Sequence, residues 1–451
     1  MRRIVEFRKN EKANVARMTA AARRLRSLAS LLAHARERLG VELGFVLWDG
    51  TTVPADLKAD AMAFAIADEG AVAALIRRPK LDTLFNLLVS ARLELRNGTL
   101  FDLMMLRPRV RSKDFRKALD KSLALRTAAR FLLVPRGGPW PLEQMHGDES
   151  RSDGSEKANK KNIHYHYDLS NAFYALFLDP EMVYSCAHFT EPHDDIARAQ
   201  RDKLDMICRK LRLKPGESFL DIGCGWGALV IHAARSYGVR AHGVTLAEEQ
   251  FAYAREKIAR LGLQDRVTIE LKDYSRLDGA FDKIASIGMF EHVGYANHDR
   301  YFTAMNRLLK PDGLYLHHAI GRPARRNDRE FFRRYSAERV ALSRYIFPGG
   351  ELDHIGMTAS NLERHGFEVH DVEAWREHYA RTTRLWHDRL LANFAAAERE
   401  VGAVKTRTWL IYLAGVSIAF DRAKLGIFQT LASKRRRGAS GVPLSRADLY
   451  R

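Results

Sequence analysis

The stretch ESFLDIGCGWGALV, residues 217–230, decides the fold of this 451-residue chain. A short apolar run ends in Asp221, three glycines follow at alternate positions, and an apolar helical pattern begins behind them. This order predicts a buried strand, a tight turn and a helix, because glycine allows both positive φ and the close approach of a ligand. The glycines are Gly223, Gly225 and Gly227, and Asp221 in front of them suits a ligand with a cationic amino-acid group.

The glycine spacing separates this turn from two other nucleotide-binding turns. GxGxG differs from the GxGxxG of dinucleotide-binding folds, and no GK[ST] triplet follows, as a phosphate-cradling loop would require. The turn therefore predicts a nucleotide-like ligand of another kind.

Three further strands are predicted at residues 240–246, 267–271 and 281–288, with helical segments between them. Such alternation indicates a parallel sheet, and ligands bind at the carboxyl ends of its strands. Thr245 and Leu246 end the second strand. Thr245 stands where other folds of this kind carry a ribose-binding acid, and Gln250 follows five residues later. Asp273 and Tyr274 follow the third strand, at a point where an acid commonly accepts from an adenine amino group.

Composition divides the chain into four parts. Residues 1–135 form a small basic α+β domain, with a predicted hairpin around Asn97-Gly98. Residues 136–160 are rich in Gly, Pro, Ser and charge and predict a linker. Residues 161–435 hold the α/β pattern, and residues 436–451 form a basic tail.

The net charge of +19 predicts association with polyanions, either nucleic acid or an anionic membrane. Residues 1–40 hold eleven Lys/Arg against three acids and show a helical apolar pattern. This helix either packs on its own domain or docks on anionic headgroups, and the sequence leaves both open. Residues 322–344 add eight Lys/Arg, interleaved with aromatic residues, and predict an interfacial rim, a lid or a solvated helix face.

Cysteine and apolar patterns bear on the compartment. The three cysteines, Cys186, Cys208 and Cys224, are scattered, which argues against disulfides and a zinc site. No apolar run reaches the roughly 18 residues that a membrane-spanning helix needs. We expect a cytoplasmic protein that lies peripherally on the inner face of a bacterial membrane.

A series of motifs in order resembles the cyclopropane fatty acyl phospholipid synthases and mycolic acid cyclopropane synthases. The resemblance covers residues 161–435. The motifs that carry it are HYHYD (164–168), YSCA (184–187), LDIGCGWG (220–227), GVTL (243–246), GMFEHVG (288–294), HHAIG (317–321), FPGG (347–350), HYART (378–382) and residues 409–429.

The resemblance implies an S-adenosylmethionine-dependent enzyme with a seven-stranded Rossmann-like class I methyltransferase domain, preceded by a lipid-engaging domain. One antiparallel strand is expected near residues 427–433. Its substrates would be the cis double bonds of unsaturated phospholipids, and it would be a homodimer without nucleic-acid partners. The implied cofactor-binding residues are Tyr184, Ser185, Asp221, Gly223, Gly225, Gly227, Thr245, Leu246, Gln250, Asp273 and Tyr274.

The resemblance also implies a bicarbonate site made of Cys186, Glu291, His318, Tyr379 and the backbone of Ile320. Methyl transfer to an isolated double bond leaves a cation, and ring closure then needs a base within reach of the new methyl group. We expect Glu291 to orient both the bicarbonate and the tautomer of His318. The sequence departs from the family pattern at Ala319, where Thr is frequent, and at Tyr274-Ser275.

Three alternatives remain open. A relative with the same cofactor adds a methyl branch instead of a ring. A nucleic-acid methyltransferase fits the charge, although no nucleic-acid-binding module is recognisable. A non-catalytic membrane adaptor would retain the fold without needing the complete set of polar site residues.

Overall fold

The computed structural model describes residues 2–106, 119–143, 169–333 and 350–450, with the backbone alone for residues 2–19. Its contacts divide the chain into two compact units, Met1–Met145 and His146–Arg451. The boundary falls inside the predicted linker, residues 136–160, most of which lies outside the described residues. The limits of the predicted domains therefore stay predictions.

The first unit is α+β. Its elements are α1 (Arg2–Leu39), β1 (Gly44–Val46), β2 (Thr52–Val53), β3 (Ala63–Ile66), α2 (Glu69–Arg77), α3 (Leu81–Val89), β4 (Leu93–Arg96), α4 (Leu100–Met105) and α5 (Lys121–Phe131). Its sheet has the order β2-β1-β3-β4, in which β1 and β3 are parallel and the other neighbours are antiparallel.

The hairpin predicted around Asn97-Gly98 is wrong. β4 ends at Arg96, Asn97 takes φ +53, and its amide donates to the carbonyls of Ala59 and Ala61. The next residues form α4, because Thr99 and Asp102 cap its first turn reciprocally. A local helix cap thus replaces the second strand.

The second unit contains a seven-stranded sheet with the order β10-β11-β9-β8-β5-β6-β7. Six strands run in one direction and β11 runs against both of its neighbours. The predicted fold class and the predicted antiparallel strand are confirmed. The strands are β5 (Ser218–Ile222), β6 (Arg240–Thr245), β7 (Val267–Leu271), β8 (Phe281–Ile287), β9 (Leu309–Gly321), β10 (Phe367–Ala374) and β11 (Gly426–Lys434).

Helices cover this sheet on both faces, and two apolar cores lie beneath them. The helices are α6 (Asn171–Ala175), α7 (Ile196–Lys210), α8 (Ala228–Tyr237), α9 (Glu248–Arg260), α10 (His298–Leu308), α11 (Asp328–Arg333), α12 (Ile355–Arg364), α13 (Arg376–Ala392), α14 (Phe394–Val401) and α15 (Ala403–Asp421). β5 pairs with β6 on one side and β8 on the other, so the strand order reverses there. A ligand crevice is expected at such a reversal.

The C-terminal residues pack on the second unit. Leu449 is buried, Arg212 forms an ion pair with Asp448 at 2.9 Å, and Arg446 forms one with Asp371 at 2.5 Å. These three contacts anchor the end of the predicted basic tail, whose other residues are mostly exposed. Within the described ranges, none of the helices is long and apolar enough to cross a membrane.

Candidate active site

The glycine turn behind β5 forms the floor of the site. Gly223, Gly225 and Gly227 adopt φ values of +79°, +55° and +84°, which side-chain-bearing residues rarely take. A Cβ atom on Gly225 would point into open space, whereas one on Gly223 would meet the Met289 side chain at 2.8 Å. The turn thus presents bare backbone to a ligand at Gly225.

A pocket lies above this turn and encloses about 1080 Å³ of empty space, including the part open at its mouth. It collects polar residues from the ends of β5, β6 and β7 and from the segment before α7. Gly227 lies outside the lining and instead occupies the N-cap position of α8. The other ten predicted cofactor residues line the pocket: Tyr184, Ser185, Asp221, Gly223, Gly225, Thr245, Leu246, Gln250, Asp273 and Tyr274.

The ends of β6 and β7 are held by local hydrogen bonds. The Thr245 hydroxyl donates to Gln250 Oε1 at 3.0 Å and accepts from the backbone N–H of Ala247 at 3.2 Å. One Asp273 oxygen accepts from the backbone N–H of Ser275 at 2.8 Å. These bonds fix three polar side chains around the part of the pocket where the sequence predicts ribose and adenine contacts.

Two buried charged groups line the pocket on the β5 side. Asp221 is 3% exposed, and burial raises the pKa of its carboxyl to about 7, with Lys203 opposing the rise. Lys203 is 2% exposed, and burial lowers the pKa of its ammonium to about 8 against the attraction of Asp179, Cys186 and Asp221. Its Nζ donates to Ser185 Oγ at 2.8 Å.

The sequence analysis missed Lys203, although its position carries a signal. The buried face of α7 is marked by apolar residues at helical spacing, and Lys203 lies on that face. These apolar residues are Ile196, Ala199, Leu204 and Ile207. A lysine on an apolar face must find a polar partner inside the protein. Position within the helical period could therefore have identified it.

The pocket residues fit S-adenosylmethionine. The Gly225 backbone leaves room for a ligand, and Asp221 Oδ1 is buried without a hydrogen-bond partner among the described residues. An unpartnered buried carboxylate oxygen suits a cationic group, and Gln250 and Asp273 offer polar groups for a nucleoside. When bound, this cofactor supplies an electrophilic methyl group.

A second cluster lies at the ends of β8 and β9. Glu291 Oε1 accepts the backbone N–H of Ile320 at 2.6 Å, while Oε2 is buried without a partner in the described residues. Burial raises the pKa of this carboxyl to about 7, and the hydrogen bond from Ile320 opposes the rise. The Ile320 amide thus fixes Glu291, so its N–H is engaged before any ligand arrives.

His318 is oriented by a residue that the sequence analysis did not single out. Gln429 Nε2 lies 2.9 Å from His318 Nδ1, and Lys210 Nζ donates to Gln429 Oε1 at 2.7 Å. Because lysine can only donate, the Gln429 oxygen faces Lys210 and its NH₂ group faces His318. Lys210 in turn pairs with Glu373.

The tautomer of His318 follows from this chain of contacts. Nδ1 accepts from Gln429, so the proton of the neutral ring lies on Nε2. Burial lowers the pKa of the ring, with Lys203 and Lys210 adding to the effect, so the ring is neutral. The expectation that Glu291 sets the tautomer of His318 is therefore corrected, because Gln429 sets it; the expectation that Glu291 orients bicarbonate stays a prediction. The buried Nε2–H has no partner in the described residues.

Cys186 and Tyr379 lie beside this cluster. Cys186 is fully buried, burial raises the pKa of its thiol, and Sγ contacts the carbonyls of Ala187 and Trp375 at 3.3 and 3.9 Å. Trp375 packs edge-on against His318 with ring centroids 5.4 Å apart. Tyr379 shares an apolar cluster with Cys186 and Ile320. The structure thus gathers all five predicted residues of the bicarbonate site.

The predicted rim at residues 322–344 is described only up to residue 333. Phe331 is fully buried, with the Arg322 guanidinium 3.5 Å from its ring centroid. Phe332 packs on Tyr295, with ring centroids 5.0 Å apart. The rim prediction is wrong for Phe331, because its ring packs inside the protein. Tyr335 and most of the motif FPGG lie outside the described residues.

The model of the family described as mycolic acid cyclopropane synthetase matches residues 154–430. The chain belongs to this family. It is 41% identical over 310 residues to a probable fatty acid methyltransferase of Pseudomonas putida, across 67% of this chain and 76% of that protein. It is 38% identical to the cyclopropane-fatty-acyl-phospholipid synthase of Escherichia coli K12, across 60% of this chain and 66% of that protein.

Solved structures agree with this membership. The crystal structure of mycolic acid cyclopropane synthase CmaA1 complexed with SAH and CTAB is 33% identical, with a TM-score of 0.57. The match covers 64% of this chain and 100% of that one. The predicted family and the predicted S-adenosylmethionine-dependent methyltransferase are therefore confirmed. The motif HYHYD lies outside the described residues.

Proposed function

We propose that this member of the cyclopropane synthetase family transfers a methylene group from S-adenosylmethionine to the cis double bond of unsaturated phospholipid acyl chains, with bicarbonate as the base. One observation carries the proposal: His318 Nε2–H and Glu291 Oε2 are both buried and unpartnered in the described part of the chain. Such groups are costly unless a ligand satisfies them.

Bicarbonate fits this donor and acceptor set. Its oxygens can accept from His318 Nε2–H, and from the Cys186 thiol once that S–H turns away from the Ala187 carbonyl; its own hydroxyl can donate to Glu291 Oε2. The raised pKa of Cys186 keeps the thiol protonated, so it remains a donor and not a competing nucleophile. When bound there, bicarbonate supplies an oxygen that can accept a proton.

The protein must also protect the acyl cation that methyl addition leaves. In this mechanism the cation loses a proton from the added methyl group, and the electron pair of that C–H bond closes the ring. Water would convert the cation to an alcohol, so the acyl chain needs an apolar slot. Phe173, Tyr174, Phe177 and Trp409 form a buried aromatic cluster that packs behind Tyr184, a residue of the cofactor pocket, and keeps this side of the site apolar.

Expression in a bacterium that lacks cyclopropane lipids tests the proposal. Fatty-acid analysis should show products one CH₂ heavier than the unsaturated precursors, with loss of the double bond. A saturated methyl branch would carry two further hydrogens, and that product would favour fatty-acyl C-methylation, the second candidate. This second candidate is supported by the similarity of the chain to the probable fatty acid methyltransferase of Pseudomonas putida.

We also propose an anionic phospholipid surface as the partner of the first unit. Leu125 and Leu133 are 71% and 96% exposed, and Arg126 and Arg130 are exposed on the same segment. Exposed apolar and basic side chains together suit a charged lipid interface. Homodimerisation and the absence of a nucleic-acid partner stay predictions.

Vesicle co-sedimentation tests this partner. Binding should be stronger to anionic than to neutral vesicles and should weaken with salt, because screening acts over about 8–10 Å at physiological ionic strength. Leu133→Glu should reduce binding, whereas Leu444→Glu, at a fully exposed leucine of the other unit, serves as the control. Equal binding to both vesicle types at every salt concentration would exclude the proposal.

A further inference from the structure

Lys203 is a buried cation that forms no ion pair with any of the described residues. Its ammonium has one hydrogen bond among the described residues, to the neutral hydroxyl of Ser185. The carboxylate of Asp179 attracts Lys203 but forms no ion pair with it; its two oxygens accept the backbone N–H groups of Val183 and Glu181 at 2.9 and 3.0 Å. An ammonium has three N–H donors, so two of those on Lys203 have no acceptor among the described residues, and burying such donors is costly.

Asp221 presents the opposite case in the same pocket. Its carboxylate is 3% exposed, and Oδ1 accepts no hydrogen bond from the described residues. Lys203 acts on it electrostatically, yet the two groups do not come within ion-pair distance of each other. Among the described residues, the pocket therefore holds one cation and one anion that form no ion pair with each other or with a third group.

We propose that Lys203 binds the carboxylate of the methionyl end of S-adenosylmethionine, opposite Asp221, which binds the ammonium group of that end. A zwitterionic amino-acid group carries the two complementary charges, and it would supply each buried side chain with its missing partner. Ser185 holds the Lys203 ammonium at the pocket wall. The inference rests on the cofactor part of the proposed function, and on neither the lipid nor the bicarbonate.

Another anion must be considered. Lys203 also acts at longer range on Cys186 and His318, which belong to the proposed bicarbonate site. However, Lys203 lines the cofactor pocket together with Ser185 and Asp221, whereas Glu291 and His318 do not. Position therefore favours the cofactor carboxylate, and the experiment separates the two anions.

Calorimetric titration of wild type and Lys203→Met tests the inference with two ligands. Compared with S-adenosylmethionine, S-adenosylhomocysteine lacks the methyl group but retains both charges of the amino-acid end. Decarboxylated S-adenosylmethionine lacks the carboxylate and retains the ammonium group. Lys203→Met should weaken binding of the first ligand by about 10²-fold, as for loss of one partner of a buried charge pair. It should leave the affinity for the second ligand within about threefold.

The matched control is Lys257→Met. Lys257 is also a buried lysine of this unit, but it already pairs with Glu181 at 2.6 Å and lies outside the pocket lining. This variant should bind both ligands as wild type does. If Lys203→Met does not fold, Lys203→Gln replaces it. In each variant the affinity for S-adenosylhomocysteine is compared with the affinity for decarboxylated S-adenosylmethionine.

Two results would overturn the inference. Equal weakening of both ligands by Lys203→Met and Lys203→Gln would show that the lysine maintains the shape of the pocket and does not bind the carboxylate. Unchanged binding of S-adenosylhomocysteine, with a higher bicarbonate concentration needed for turnover, would assign Lys203 to the other anion. Neither result would touch the proposed ring formation, because the titration uses no lipid.

Discussion

The side-chain amide of Gln429 donates to His318 Nδ1 over 2.9 Å. The two residues face each other across neighbouring antiparallel strands, because β11 pairs with β9 in the register that sets Gln429 opposite His318. Lys210 fixes the amide from its other side. The register of β9 and β11 therefore places the ring proton of His318 on Nε2, the nitrogen that is free to serve the cluster around Glu291.

Gln429→Glu should reverse the tautomer of His318. A carboxylate accepts only, so the ring proton would move to Nδ1 and Nε2 would become an acceptor. Turnover should fall by about 10²-fold or more, since a donor to the base is lost. The ¹⁵N shifts of labelled imidazole should show the change, and the His318→Gln spectrum assigns the signal.

Cofactor affinity separates this effect from general damage. Gln429 does not line the cofactor pocket, so S-adenosylhomocysteine should bind to Gln429→Glu as it does to wild type. A variant with wild-type turnover and an unchanged imidazole spectrum would show that Gln429 does not set the tautomer.

Glu291→Gln should cut turnover by about 10²–10⁴-fold, the usual range for losing acid–base assistance. The amide keeps the shape and can still accept from Ile320, but it loses the charge and places an NH₂ group where Oε2 accepts. Cys186→Ser should be milder, because a hydroxyl of similar size still donates. If Glu291→Gln and His318→Gln both form rings at the wild-type rate in bicarbonate-depleted buffer, the base lies elsewhere.

Gly225→Val should abolish cofactor binding by steric block. A side chain there meets no protein atom and would project into the pocket, where the bare backbone is needed. Gly216→Val is the control, since Gly216 also has positive φ and an open Cβ position but lies in a turn outside the pocket. Calorimetry showing wild-type affinity in folded Gly225→Val would refute this placement of the ligand.

Affinity for S-adenosylhomocysteine should rise as pH increases from about 6 to 7.5. Burial raises the pKa of Asp221 to about 7, so the free pocket holds a protonated carboxyl at the lower pH. An ammonium ligand favours the ionised form, and binding therefore releases a proton. Titrations in buffers of different ionisation enthalpy measure that release, and Asp221→Asn should remove it; a pH-independent affinity in wild type would contradict the assignment.

The raised pKa of Asp221 also makes the stability of the ligand-free protein depend on pH. The folded-state pKa of Asp221 lies above its ordinary value of 3.8, so the folded state holds more protons between pH 4 and pH 7. The ligand-free protein should lose this contribution to its free energy of unfolding as pH rises through that window. Thermal melts of wild type and Asp221→Asn should diverge in that direction.

Much of the fold follows from local sequence pattern. The Gly223–Gly227 turn and the polar residues at strand ends predict the sheet and its crevice, because both depend on residues close together in the chain. The hairpin at Asn97-Gly98 failed because Thr99 and Asp102 cap a helix directly behind it. The sequence shows this capping pair, and in the structure it prevails over the turn that Asn97-Gly98 predicts.

The site is predictable as a set of residues but not in its electrostatics. Family motifs identify Glu291 and His318, yet the partner that sets the tautomer depends on the register of β9 and β11, which no local pattern fixes. Lys203 and Lys210 lie in a basic helix, where a solvent-exposed lysine is the usual expectation. The apolar spacing of α7 places Lys203 on the inward face, but the partners of the two lysines, Ser185 and Gln429, come from distant segments that no local pattern brings together.

The most direct test of ring formation is the fate of the transferred hydrogens. Purified protein would be given S-adenosylmethionine with a fully deuterated methyl group, bicarbonate and vesicles of cis-unsaturated anionic phospholipid. The account predicts products that retain two of the three deuterium atoms and show cyclopropane ring signals by NMR, because one deuteron leaves to the base. Products that retain all three deuterium atoms on a saturated methyl branch would contradict it.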